Sequence, residues 1–329
     1  MLSLFRSTQA YAGLPFLFYA VVLQLPVLLG GGALVAPNWA EHGFIGYHVA
    51  EWAAAHTWLA IILPPVLVAI LALQASALSN RHQFTRVSTQ LAPLGVLLAW
   101  GLVPGFRLLH PAMLANIFLG FALLAICRIY KNQFPQFTLF NAGAWVAMAS
   151  FFAPSYLLFL LPCYVGSAIM GRAGFVELIR LLTGALVLYF LAGTLAYFYG
   201  NLAVFTGAQV PRFSLEIVSA GPYEVVFAGL LSVLSLALST QFSPVVRFIN
   251  IEGSKGVAML YWLLLFTPLA VVFTGGVSPI DTYALVMPAG VLLGLTIRNL
   301  SARTAELVHL LLAVAALICG AGDLSLLAS

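Results

Sequence analysis

The sequence predicts an all-α fold: a polytopic bundle of transmembrane helices forming a single integral membrane domain over residues 1–329. Three observations predict it. Hydrophobic residues make up 63% of the chain, charged residues only 7%, and the mean hydropathy is +1.07. A soluble domain carries roughly 25% charged residues, so lipid must solvate most of this one. Apolar runs recur along the chain at close to the ~20 residues that a spanning helix needs. Finally, the basic residues gather in alternate loops.

Eleven runs qualify or nearly qualify as spans, near residues 14–36, 58–79, 91–106, 112–129, 139–153, 155–171, 181–200, 222–240, 257–274, 282–297 and 306–321. The pair on either side of Pro154-Ser155 reads as a tight hairpin; ten spans remain if that pair is one re-entrant unit. The first run is longer than a secretory h-region, so it reads as a retained span.

With the N-terminus in the cytoplasm, cytoplasmic segments hold 11 of the 13 basic residues, and external segments hold only Arg107 and Arg212. This is the positive-inside pattern. It places the C-terminus, with Asp323, outside. The first external stretch, about residues 38–56, mixes Trp39, Tyr47 and Trp52 with His and Glu, and reads as an interfacial amphipathic helix. Intramembrane prolines, among them Pro26, Pro64, Pro65 and Pro268, free carbonyls that the protein must satisfy internally.

The net charge of +4 comes from singly scattered Lys and Arg, which excludes a nucleic-acid-binding patch. Cys127, Cys163 and Cys319 have no close spacing partner and read as buried small hydrophobes. The sequence points to no cofactor and no metal. His48 and Glu51 are three apart, as are Glu306 and His309, but the two pairs fall on opposite membrane sides and cannot share a di-metal centre.

Polar chemistry concentrates outside. Four of the six histidines (His42, His48, His56 and His110) are external, with the acids Glu41, Glu51, Glu216, Glu224, Asp281 and Asp323. Glu41 and Glu51 are the candidate catalytic carboxylates, each able to act as a general base toward an acceptor hydroxyl. Arg107 and Arg212 are the candidate phosphate ligands, because a guanidinium pairs two hydrogen bonds with a phosphate. His48, His110 and Glu216 are candidate supporting residues. The alternative for each arginine is a snorkelling helix anchor, or for Arg212 a pair with Glu216.

The run Ala115-Asn116-Ile117-Phe118-Leu119, the Ile126-Cys127-Arg128-Ile129 segment and the stretch from Phe140-Asn141-Ala142-Gly143-Ala144-Trp145 to Ala153-Pro154 carry a resemblance, together with Leu4-Phe5-Arg6-Ser7 and Asn80-Arg81-His82. Over roughly residues 1–200 the chain resembles a family of polytopic inner-membrane proteins of Bacteroidota. The resemblance implies a bacterial inner (cytoplasmic) membrane and transfers no catalytic residues. At the level of fold, the chain is also similar to the multi-span glycosyltransferases that use polyprenyl-phosphate sugars. Those enzymes place a carboxylate in the first external loop, where Glu41 and Glu51 stand here, although this loop is shorter and contains no Asp.

The leading functional expectation is therefore a glycosyltransferase-like envelope enzyme with an external site and a polyprenyl-phosphate-linked donor. The alternatives are a non-catalytic subunit with a membrane-protein partner, and a transporter or flippase. Membrane lipids are expected partners in all three.

Overall fold

The computed structural model describes residue 5 and residues 13–30, 42–131, 135–214, 222–247, 249–274 and 278–327. Among these residues the chain is helical, and the described part of each apolar run falls largely in α- or 3-10 helix. In chain order the α-helices are α1 (Gly13–Gly30), α2 (Phe44–Ala55), α3 (Thr57–Arg81), α4 (Leu91–Gly101), α5 (Pro111–Cys127), α6 (Pro135–Ser150), α7 (Leu160–Ile169), α8 (Phe175–Phe198), α9 (Leu202–Ala208), α10 (Pro222–Ser239), α11 (Phe242–Val246), α12 (Ile251–Val272), α13 (Val286–Asn299) and α14 (Ala302–Leu327). Short 3-10 helices cover Pro104–Arg107, Arg128–Lys131, Pro154–Phe159 and Pro279–Leu285.

Among the described residues, six helical segments are long and apolar enough to cross a membrane: α3, α5 with its 3-10 extension, α8, α12, α13 with its preceding 3-10 helix, and α14. The chain is a multi-pass membrane protein. The other five segments are shorter; α4, for example, has 11 residues and α6 has 16. The Pro154-Ser155 junction is a 3-10 turn between α6 and α7. These helices run in opposite directions, since α6 ends beside α2 and α7 ends at Gly171, near Lys255.

The connections collect at two ends. At the basic end, His82 meets Glu252 at 3.2 Å, Lys255 lies 4.6 Å from the Tyr130 ring centroid, and Gln90 N–H donates to Phe5 O at 2.7 Å. At the far end, Leu109 N–H donates to Ala60 O at 2.9 Å, Gly43 N–H donates to Phe152 O at 3.1 Å, and the Phe106 and Tyr283 rings are 4.8 Å apart.

Helices in lipid gain nothing by hiding apolar surface from water, so they associate through close packing and internal hydrogen bonds. Both devices are present. On α13, a Cβ at Gly290 would strike the backbone of Val96 on α4, and one at Gly294 would strike Leu91 and Ala92. Gly143 of α6 and Gly184 of α8 face each other's helix backbone in the same way.

The polar braces run from side chain to carbonyl. Pro65 cannot donate to Ile61 O four residues earlier. Gln24 of α1 donates to that carbonyl at 3.0 Å and to Arg107 O at 2.8 Å. Gln74 of α3 donates to Ile117 O on α5 at 3.0 Å, and Asn116 of α5 donates to Tyr283 O at 3.1 Å.

Candidate functional site

The far end is organised around α2. The first N–H groups of a helix have no partner within the helix. Here Ile45 N–H and Gly46 N–H donate to Phe151 O at 3.0 and 3.1 Å, just past the last turn of α6. The positive N-terminus of α2 thus meets the negative C-terminus of α6. Side chains at Gly43 and Gly46 would overlap the carbonyls of Phe151 and Phe152, so glycine permits the contact. Gln209 completes the joint. With its amide oriented to satisfy both neighbours, it donates to Ser150 O at 3.1 Å and accepts from Phe44 N at 2.9 Å.

The outer face of α2 is open. His48 and Glu51 lie one turn apart on it, with side chains 55% and 61% exposed and Nδ1 to Oε2 3.5 Å apart. Their three-residue spacing brings them together as the sequence predicts. The separation is that of a loose ion pair rather than a short hydrogen bond. Aromatic rings flank the pair, with Phe44 5.3 Å and Tyr47 5.8 Å from the His48 ring. Trp52 stacks on His56 at 5.0 Å.

His110 has a structural role. It caps α5, its Nδ1 accepting from Ala112 N–H at 3.2 Å, and its ring lies 5.3 Å from that of buried His42. Surrounding protein, and then the neighbouring His42, hold its pKa well below the ordinary imidazole value. A neutral ring is the form that can accept the capping bond.

Arg107 lies deeper than an interfacial ligand. It is fully buried, and its guanidinium donates to Leu23 O of α1, Gly101 O of α4 and Ala316 O of α14. It braces three helices, and one of its acceptors is an end carbonyl of α4 that has no partner within the helix. Arg212 is exposed. Its backbone pairs with Thr274, Ser214 N–H donates to Val272 O at 3.1 Å, and the Phe213 and Phe273 rings are 5.5 Å apart. These contacts pin Arg212 to the C-terminal end of α12. Glu41 and Glu216 lie outside the described residues. No described contact joins Glu51 to either arginine.

Several polar residues outside the predicted site set have defined surroundings. Asp281 is tied into a capping box with Ser278, at 2.8 Å to the backbone N and 2.9 Å to Oγ. Tyr156 is 3% exposed, and its hydroxyl has no hydrogen-bond partner among the described residues. At the basic end, burial outweighs the pull of Glu252 and lowers the pKa of His82, with Arg128 and Arg81 acting in the same direction. Among the described residues, no three His, Cys, Asp or Glu side chains converge as a metal site would require.

No protein-family model matches the chain, and no curated protein matches it. Among solved structures it is similar to ArnT from Cupriavidus metallidurans, in a crystal structure bound to undecaprenyl phosphate, with a TM-score of 0.48 and 14% identity over 94% of this chain and 59% of that one. The chain therefore spans less than two thirds of the length of ArnT, and a likeness at this level carries neither that protein's activity nor its lipid to this one.

Proposed function

We propose that the protein is a glycosyltransferase-like enzyme of the cell envelope, acting at the far end of the bundle on a polyprenyl-phosphate-linked donor. In this reading the chain crosses a bacterial inner membrane eleven times. Its basic end faces the cytoplasm, in keeping with the positive-inside pattern. The observation that carries the reading is α2: a helix fixed by its first turn to the end of α6, holding an open carboxylate–imidazole pair just before the spanning-length helix α3. Glu51 takes the proton of an acceptor hydroxyl as the acceptor oxygen bonds to the anomeric carbon of the donor sugar. The bond from that carbon to the phosphate oxygen breaks, the polyprenyl phosphate leaves with the electron pair, and His48 relays the proton to water. Glu41, ten residues earlier, is the other candidate carboxylate. Arg212 holds donor phosphate, Glu216 and His110 support the site, and Arg107 acts through the helices it braces.

The test is transfer of radiolabelled sugar from a polyprenyl-phosphate sugar to envelope acceptors in membrane vesicles. Glu51→Gln should lower transfer by about 10²-fold or more, as loss of a general base does, while inserting into the membrane normally. Wild-type transfer by Glu51→Gln and Glu41→Gln alike would remove the proposed base.

A second reading, a non-catalytic subunit, is favoured by α8. Leu186, Phe190 and Phe198 are 68%, 70% and 77% exposed along it, a face suited to another membrane protein's helices as well as to lipid. A stoichiometric partner that co-purifies with the wild type, and is lost when this face is changed, would support it.

A further inference from the structure

The turn that ends α3 is the seat of the first turn of α12, and His82, Gln83 and Phe84 each meet that helix. His82 Nδ1 lies 3.2 Å from Glu252 Oε1, and both side chains are 9% exposed. Asn250 caps α12, its Oδ1 accepting from Gly253 N–H at 2.8 Å, and its Nδ2 donates to Gln83 Oε1. A Cβ at Gly253 would overlap Gln83 O, and one at Gly256 would overlap the buried Phe84 ring, so the turn can sit flush on the helix.

The turn is strained. Phe84 N–H donates to Ser79 O at 2.9 Å across Gln83, the pattern of a helix end whose next residue is left-handed. Gln83 has φ 53°, a region that glycine enters freely and that is costly for a residue with a Cβ. Its contacts with α12 hold it there. Beside it, His82 Nε2 is buried and has no hydrogen-bond partner among the described residues. A proton added at Nε2 would create a buried N–H with nothing to accept it. Glu252 of α12 draws a cation to the ring, while Arg81 of α3 and Arg128 at the end of α5 oppose one. The Cys127 thiol of α5 lies within electrostatic reach of Glu252, and Lys255 of α12 sits 4.6 Å over the Tyr130 ring. Burial holds the His82 pKa below the ordinary imidazole value against the pull of Glu252, with Arg128 and Arg81 on the side of burial.

We propose that the His82–Glu252 pair is a proton-binding site that latches the first turn of α12 to the end of α3. With His82 neutral, its Nδ1–H donates to the Glu252 carboxylate and the joint is shut. Protonation at Nε2 favours an arrangement in which that nitrogen reaches water, so the first turn of α12 parts from the turn and Gln83 relaxes. The open joint, with His82 near its solvated value of about 6.5, takes up the proton more readily than the closed one. The joint is therefore shut above about pH 6.5 and opens as pH falls below it. Between pH 7.5 and 5.5 the ratio of open to closed joint rises by at most about ten-fold, because only the pH unit below 6.5 contributes.

The test is amide exchange in the full-length protein in nanodiscs at pH 7.5 and 5.5, corrected for the intrinsic pH dependence of exchange. Exchange at residues 82–84 and 250–256 should rise by roughly five- to ten-fold at the lower pH, while the contact of α4 with α13 at Gly290 and Gly294 stays protected. His82→Asn keeps a donor at the Nδ1 position and cannot titrate, so its joint should exchange alike at both pH values. Glu252→Gln removes the charge from the acceptor and should raise exchange at the joint at pH 7.5. A second measurement needs no variant: NMR of labelled imidazoles should show His82 as the Nδ1–H tautomer at pH 7.5, protonated over the same range in which exchange rises. Equal exchange at both pH values in the wild type, an equal rise along the whole chain, a rise that persists in His82→Asn, or the Nε2–H tautomer at pH 7.5 overturns the inference. If His82→Asn folds poorly, the wild-type exchange and the tautomer decide it.

Discussion

Replacing Gln24 by Leu tests how the bundle handles its prolines. The side-chain amide bridges two carbonyls, Ile61 O at 3.0 Å and Arg107 O at 2.8 Å. The first of these lacks a helical donor because Pro65 has no N–H. Leaving a buried acceptor unsatisfied costs about 1–3 kcal/mol, while cross-helix hydrogen bonds in membranes average about 0.6 kcal/mol. Leu also removes Gln24 Oε1, which has no partner among the described residues, so part of the loss is returned. The net loss should be about 1–2 kcal/mol. Pro65→Ala restores an N–H aimed at Ile61 O from within α3. In that background Gln24→Leu should cost about 1 kcal/mol less, a coupling that a double-mutant cycle resolves. The assay is reversible unfolding of the four proteins by SDS titration in mixed micelles. An equal cost in both backgrounds, or no cost at all, would refute the assignment of Gln24 as the donor that replaces the missing Pro65 N–H.

Gly290→Val places a side chain against the Val96 backbone, which cannot rotate away, and should destabilise by about 1–3 kcal/mol; Gly207→Ala, into open space, is the control, and similar unfolding midpoints for the two would sink the packing argument. Gly46→Val should lift α2 off Phe152 O and speed amide exchange in α2 by about ten-fold or more, the equivalent of 1.4 kcal/mol; unchanged exchange there would mean that α2 is held by something else. His82 is lowered in the folded chain below its unfolded value of about 6.5. The unfolded chain therefore takes up its proton first, and this contribution to stability is complete above about pH 6.5 and lost as pH falls. Unfolding midpoints at pH 7.5 and 5.5 should diverge more for the wild type than for His82→Asn, and equal divergence would assign the effect to other groups.

The helices were legible because their signal is local: length and hydropathy mark each run wherever its neighbours lie. The His48–Glu51 pair was legible for a similar reason, since three residues is one helical turn. The braces were not. Gln24 and Arg107 are 83 residues apart, and His82 and Glu252 are 170 apart, so each pairing depends on which helices become neighbours. Arg107 shows the limit most clearly. In the Pro104-Gly105-Phe106-Arg107 turn, an arginine reaching for lipid phosphate and one reaching inward for carbonyls have the same local sequence. Only the placement of α1 and α14 beside that turn separates them.

The side-chain-to-carbonyl braces also determine which parts of the molecule can move. Gln24, Gln74, Asn116 and Arg107 each fix the height of one helix against another. A slide of one turn, about 5.4 Å, would break a buried bond in either pair: between α1 and α3 it would leave Ile61 O without a donor, and between α3 and α5 it would leave the Gln74 amide N–H without an acceptor. Those helices therefore form the stator of the molecule. A piston-like transport stroke through them is disfavoured, and any working motion falls to the elements outside the braced set, α8 with α9 and α10 with α12.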